Sequence, residues 1–250
     1  MQKVGQHLSH SQIEEFTRCP RRYHLHRRVG LKPQFCPSGL LFGVAMHSAV
    51  GVYHQLRLEG KEAGLPLLLK TFRAKWQSED LPVKYKEDES PESFAALAKK
   101  MLRTYIDDQK GGAQVIAVEE PFRLHLSDDL PPIVGRIDLV EMEEGRLVLS
   151  DFKTASSRRE PDPEQLVLYT HAAKELDFPC EDGAGARYVV LTKTKTPKVV
   201  RFDVEVTRQH TERLRALYQS AWKDIQRRCS FPRTGWWCDG CRWAKYCDQG

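Results

Sequence analysis

An α/β (α+β) chain with helices packed on a mixed β-sheet is what three patterns in the sequence predict. Apolar residues recur at helical spacing through most of residues 8–110. Three β-branched, partly alternating runs then fall between residues 114 and 152. A helical run, two more strand-like runs and a last helical run follow, an order that layers helices on a sheet. The chain has 250 residues, 40% hydrophobic and 29% charged, which excludes a disulfide-stapled miniprotein and a disordered tail. A domain this long buries roughly three quarters of its extended surface, so bulk stability needs no metal and any metal site is local or functional.

Element by element, Ser9 or Ser11 caps a first helix through Ile13 and Phe16, and Pro20 breaks it or opens the basic segment Arg21 to Arg28. A helix from Ser38 to about Leu58 carries Leu41, Val44, Ala45, Ala49, Val52 and Tyr53 at helical spacing. Further helices are expected near Leu67 to Gln77 and, after the start signal Ser90-Pro91-Glu92, from Phe94 to Tyr105. Strands are expected at 114–126, 133–142 and 146–152, with Glu143-Glu144-Gly145 as a tight hairpin turn between the last two, and the three are expected to run antiparallel. A helix from Pro163 to Leu176 leads to strands at 186–192 and 198–206, joined by the basic turn Lys193 to Lys198. A helix from Thr207 to Arg227 precedes a tail dense in Cys and Trp. No internal repeat or low-complexity linker divides the chain, so residues 1–250 read as one domain. Its parts are a helical segment (8–110), a sheet core (111–206), and a helix with the cysteine tail (207–250).

Thirty-nine Lys and Arg against thirty-four Asp and Glu give a net charge of +5, which permits a polyanionic partner without demanding one. No run approaches the roughly 18 apolar residues of a membrane helix, and the first residues lack the apolar core of a signal peptide. The expectation is a cytoplasmic protein with no membrane partner. In that reducing compartment the seven cysteines are thiols or metal ligands.

The chemistry concentrates on two strands. Asp138 follows Gly135 in the second strand and Asp151-Phe152-Lys153 closes the third, so a short hairpin brings both carboxylates to one end of the sheet. Asp151 and Lys153 are two apart and share a face, while Phe152 points the other way into the core. Two carboxylates suit magnesium or manganese. Lys153 is placed to hold or deprotonate an attacking water, or to neutralise developing phosphate charge. An isolated Asp-x-Lys would be an ordinary strand end, so the surrounding segments decide.

Those segments are LSHSQIEEFTRCPRRYHL (8–25), FGVAMH (42–47), GRID (135–138), SDFKT (150–154) and QLVLY (165–169). In this order and spacing the chain resembles the PD-(D/E)XK nuclease superfamily, specifically its RecB-like branch, which includes the nuclease domains of RecB and AddB and the CRISPR-associated RecB-like exonucleases. The resemblance spans Leu8 to Cys247 and implies a restriction-endonuclease-like core. It also implies a metal shell of His47, Asp138, Asp151 and the Phe152 carbonyl, with Lys153 as the catalytic lysine. Gln165 and Tyr169, four apart on one helical face, would bind the scissile strand or support the site. His54, seven residues past His47, competes for the histidine role but does not match the family segment. Glu119-Glu120 could lend a further carboxylate, but a solvated strand end is the preferred reading. Many superfamily members carry Glu where this chain has Asp151, a departure that the RecB-like branch tolerates.

Cys238-x-x-Cys241 and Cys247 place three thiols within ten residues, and Cys19 lies far upstream. Thiol count alone fits zinc or an iron–sulfur cluster. The resemblance implies the latter, a 4Fe-4S cluster on Cys19, Cys238, Cys241 and Cys247 that ties the termini together, with Trp236, Trp237 and Trp243 packed around it. Cys36, Cys180 and Cys229 read as incidental thiols. Arg158 and Arg159, just past Lys153, are the best-placed DNA contacts, and Arg18 to Arg28 and the Lys193 turn are other basic patches. The expectation is a metal-dependent exonuclease of single-stranded or tailed DNA, in repair, recombination or CRISPR spacer acquisition, with an integrase or helicase as partner. No Walker phosphate loop occurs, so ATP coupling would have to come from such a partner. The alternatives are a catalytically silent DNA-binding scaffold of the same fold and a zinc-ribbon interaction protein.

Overall fold

The structure is a computed structural model that describes residues 7–109, 111–156, 160–178 and 183–247. Ser9 caps α1 (His10–Arg18) through a capping box with Gln12, and Pro20 opens the short α2 (Pro20–Tyr23), which runs into a π-helical turn (His24–Arg28). The two-residue β1 (Cys36–Pro37) leads directly into α3 (Ser38–Leu58), followed by α4 (Leu65–Gln77), β2 (Val83–Lys84) and α5 (Pro91–Asp108). Strands β3 (Gln114–Leu124), β4 (Ile133–Glu143) and β5 (Arg146–Ala155) precede α6 (Glu164–Glu175). Strands β6 (Gly185–Thr192) and β7 (Val199–Val204) then precede α7 (Arg208–Gln226).

Five strands form one sheet in the order β3-β4-β5-β6-β7, antiparallel throughout except for the parallel pair β5–β6. That exception follows from the connection: a parallel partner needs a long crossover, and α6 lies within it. The sheet is thus mixed, as expected. The small parallel pairing of β1 with β2, Cys36 opposite Val83, had no counterpart in the sequence reading, because two residues carry no periodicity.

Alternation along β6 shows how both faces are covered. Ala186, Tyr188 and Val190 join a core with residues of α1, α6 and α7, while Val189 and Leu191 join a second core with α3, α4 and α5. The result is the three-layered α/β arrangement of a restriction-endonuclease-like fold, and its sheet holds the chemical residues between two helical layers. The last segment folds back on the first. Arg21 donates its main-chain N–H to Phe231, Gln34 to Arg242, and the buried Trp243 donates its indole N–H to Leu31 at 2.9 Å.

Candidate metal centre

The site begins where a hairpin comes apart. Strands β4 and β5 leave their turn with Glu144 and Gly145 both at positive φ (50° and 81°), the primed geometry that a tight hairpin needs. They pair from Glu143 opposite Arg146 as far as Leu139 opposite Ser150. Beyond that pair they part, β4 remaining with β3 and β5 with β6. Asp138 and Asp151 are the first residues past the fork. The Phe152 N–H, deprived of a strand carbonyl on β4, donates instead to Asp138 Oδ2 at 2.9 Å, so the carboxylate satisfies a buried main-chain donor.

Asp151 and Lys153 face α6, and Phe152 faces the opposite core, as alternation requires. From α6, Gln165 and Tyr169 meet them on one helical face. Lys153 Nζ donates to Gln165 Oε1 at 2.8 Å, and Gln165 Nε2 donates to the Tyr169 oxygen at 3.1 Å. The Tyr169 hydroxyl lies 3.1 Å from Asp138 Oδ1 and 3.2 Å from Asp151 Oδ1, its single proton shared between them. Amide and phenol are therefore engaged with the lysine and the two aspartates, which is the supporting role rather than the strand-binding one. Burial pushes the Asp151 carboxyl above the usual carboxylate range against the opposing pull of Lys153, whose ammonium sits 2.7 Å from Oδ2. That short ion pair compensates a carboxylate in a residue only 1% exposed.

The far side of Asp138 belongs to α3. His47 Nε2 is 2.9 Å from Asp138 Oδ2, and its Nδ1 is 3.2 Å from Glu119 Oε1. Burial disfavours the charged imidazole, but the hydrogen bond and charge of Asp138, with Glu119 and Asp151, outweigh it and raise the pKa. His47, Glu119 and Asp138 offer ligand atoms within 4.8 Å of one another, the one such group among the described residues. Glu119 thus enters the site instead of capping a solvated strand end. Its φ of 52° is a left-handed, strained conformation for a residue with a side chain, found in the strand at the point facing His47. The sequence held one signal for it: of two consecutive strand carboxylates, one must face inward.

These donors fit a divalent cation. Two carboxylates, Glu119 and Asp138, converge with the His47 imidazole, and Asp151, its Oδ2 held by the Lys153 ammonium at 2.7 Å, lies beside that group and outside it. His54 has gone elsewhere: fully buried, its Nε2 meets the Tyr105 hydroxyl and its ring stacks on Phe152 at 5.6 Å. It braces the back of the catalytic strand, and burial holds its pKa down at about 3.

Cys19, Cys238, Cys241 and Cys247 line one cavity of about 310 Å³ with Arg21, whose buried Nε has no acceptor among the described residues. No three of these sulfurs lie within 4.8 Å of one another. Trp243 is buried beside them between the Arg22 and Arg242 guanidinium groups, each 5.3 Å from its ring. Trp237 is half-buried, but Trp236 is exposed, contrary to the expectation that all three pack inward. The first basic patch is also internally spent: Glu15 takes Arg22, His26 and Arg27, and Arg28 donates to the Ile225 carbonyl. Arg158, Arg159 and Cys180 lie outside the described residues.

Residues 7–248 match the PD-(D/E)XK nuclease superfamily, and the chain belongs to it. No curated protein matches the chain. Among solved structures it is similar to a protein of Eubacterium rectale named as a candidate exonuclease, at 13% identity and TM-score 0.59, over 95% of this chain and 87% of that one. A second, SSO0001, is 13% identical over 95% of this chain and 94% of its own, at a TM-score of 0.40. At such identities the first supports the fold alone, and the second is too distant to carry an argument. The protein is therefore a nuclease by family, acting on DNA, and among its described residues no helix is long and apolar enough to cross a membrane.

Proposed function

We propose that the protein is a divalent-metal-dependent exonuclease of single-stranded or tailed DNA, of the RecB-like type. The observation that carries this reading is the fork at Asp138 and Asp151, with Lys153 beside one carboxylate and Tyr169 bridging both. His47, Glu119, Asp138, Asp151 and the Phe152 carbonyl would hold the cation, which supplies charge neutralisation at the scissile phosphate and acidifies a water. The protein's own groups do the rest. Lys153 orients the attacking water and offsets charge developing on phosphorus, and Gln165 fixes the lysine through its amide oxygen. Tyr169 holds the two carboxylates at the fork, so their spacing does not depend on the metal being present. Because one donor is an imidazole nitrogen, manganese suits the set better than magnesium, which prefers oxygen.

The four cysteines are proposed to carry a 4Fe-4S cluster joining the two ends of the chain. The four cysteines share the lining of one cavity with Arg21, whose charge would offset that of such a cluster. A cytoplasmic role in repair, recombination or CRISPR spacer acquisition, beside an integrase or helicase, is consistent with this reading.

The test is degradation of single-stranded DNA labelled at either end, in magnesium and in manganese, by wild type and Asp151→Ala purified anaerobically. Metal-dependent shortening that the substitution abolishes is expected, with the faster rate in manganese. A folded wild type that cuts nothing in either metal would overturn the hydrolytic reading in favour of a DNA-binding scaffold.

A further inference from the structure

Opening from the metal centre, and lined in part by His47, Phe152 and Lys153, is a cavity of about 370 Å³ whose apolar part the hydrolytic chemistry does not use. It runs along α3, whose Leu40 and Val44 form one wall at 48% and 43% exposure, large apolar side chains left in water on a helix otherwise well buried. Leu191 of β6 faces them. Gly39 and Gly43, one turn apart on the same helix, keep the groove open: a Cβ at Gly39 would meet nothing within 4 Å, and at Gly43 only Thr154 Oγ1 at 3.4 Å. One end of the groove is made by His47 and Lys153, which also belong to the metal centre. Past Leu191, the chain turns through Lys193, whose main-chain N–H is bonded to Ala155 at the end of the catalytic strand.

The geometry points to a subsite for one unpaired nucleobase, that of the nucleotide adjoining the scissile phosphate. This inference rests on the nuclease reading above and specifies its substrate. A phosphate held at His47 and Lys153 carries a base within reach of a groove that starts at those same side chains. The groove is apolar on both walls, which suits the faces of a flat heterocycle and is indifferent to its identity. Its end at the metal centre carries the Lys153 ammonium, which complements a phosphate flanking such a base. A paired base is stacked and hydrogen-bonded inside its duplex and is not free to enter, so the subsite selects for unpaired ends.

The experiment walks 2-aminopurine through a short single-stranded oligonucleotide, reading fluorescence and anisotropy in calcium, with cleavage of the same oligonucleotides measured in manganese. The proteins are wild type, Gly39→Leu, which fills the groove from open space, and Leu40→Ala, which removes an exposed wall at little cost to folding. One position should respond differently from its neighbours, and both substitutions should abolish that response and weaken binding by about tenfold. If wild type cleaves but the signal is uniform along the strand, or persists in both variants, the subsite is overturned and the nuclease reading stands. A position-specific signal without cleavage keeps the subsite and overturns hydrolysis. Absence of both binding and cleavage overturns the two together.

Discussion

Tyr169 shows how much one hydroxyl can be asked to do. Its oxygen accepts from Gln165 and offers its proton to two carboxylates that would otherwise face each other unshielded in a buried site. Tyr169→Phe keeps the ring in its edge contact with Phe122 and removes only the bridge. Cleavage should fall by about tenfold or more, within the range of a lost charge-assisted hydrogen bond, with the circular dichroism spectrum unchanged. A variant that cuts at the wild-type rate would remove the phenol from the site's working parts. A second residue acts on stability. Burial pushes the Glu141 carboxyl from 4.5 up to about 7, although Arg57 lies 3.9 Å away, because the loss of water outweighs that distant charge. A carboxyl with a raised folded pKa favours the protonated native state, so its contribution is fully present below pH 4.5 and is lost as pH rises through 7. The amount is on the order of 3 kcal/mol. Urea unfolding from pH 4 to 8 should show that decline in wild type and a flatter profile in Glu141→Gln; equal profiles would refute it.

At the scale of elements, the fork between β4 and β5 does most of the positioning, and Gly135 explains how β4 reaches it. A Cβ at Gly135 would stand 2.5 Å from the Phe122 ring, which lies across the strand and abuts Tyr169. The glycine of the GRID segment is therefore required by a neighbouring strand's aromatic ring. Gly135→Ala should cost about 1–3 kcal/mol by overpacking and should lower activity through displacement of Tyr169, read as a shifted urea midpoint and a reduced cleavage rate. An alanine variant unchanged in both would mean that the ring moves freely. The elements themselves were largely legible: α3 begins and ends where its apolar spacing places it, and the hairpin turn falls on Glu144-Gly145. The histidine choice was legible too, but only through the FGVAMH segment. His47 and His54 share nearly the same helical face, and nothing in their spacing says that one reaches a carboxylate while the other is sealed against Tyr105.

On the scale of the whole molecule, the ends are fastened to each other by Trp243. It is 1% exposed, hydrogen-bonded to Leu31 and held between Arg22 and Arg242. Trp243→Ala should cost about 3–5 kcal/mol by the cavity it leaves. The expected signature is early proteolytic cutting after α7. A variant as protease-resistant as wild type would show the tail to be held by other means.

The sequence by itself determined the order of helices and strands, the mixed sheet, and the presence of His47, Asp138, Asp151, Lys153, Gln165 and Tyr169 in one site. The elements and the mixed sheet are written in local periodicity, which a single chain displays without folding, and the shared site in the resemblance of its segments to a known family. Only the tertiary structure decided that β4 and β5 part at the two aspartates, that Glu119 turns in beside His47, and that the amide and phenol of α6 serve the lysine and carboxylates. It likewise decided that Arg22 and Arg27 are taken by Glu15, and that an apolar groove opens beside the site. Those features depend on which strand ends lose their partners and which side chains meet across distant elements. Both are settled by packing two helical layers against one sheet, where burial and unsatisfied hydrogen bonds decide among arrangements that local sequence leaves equal.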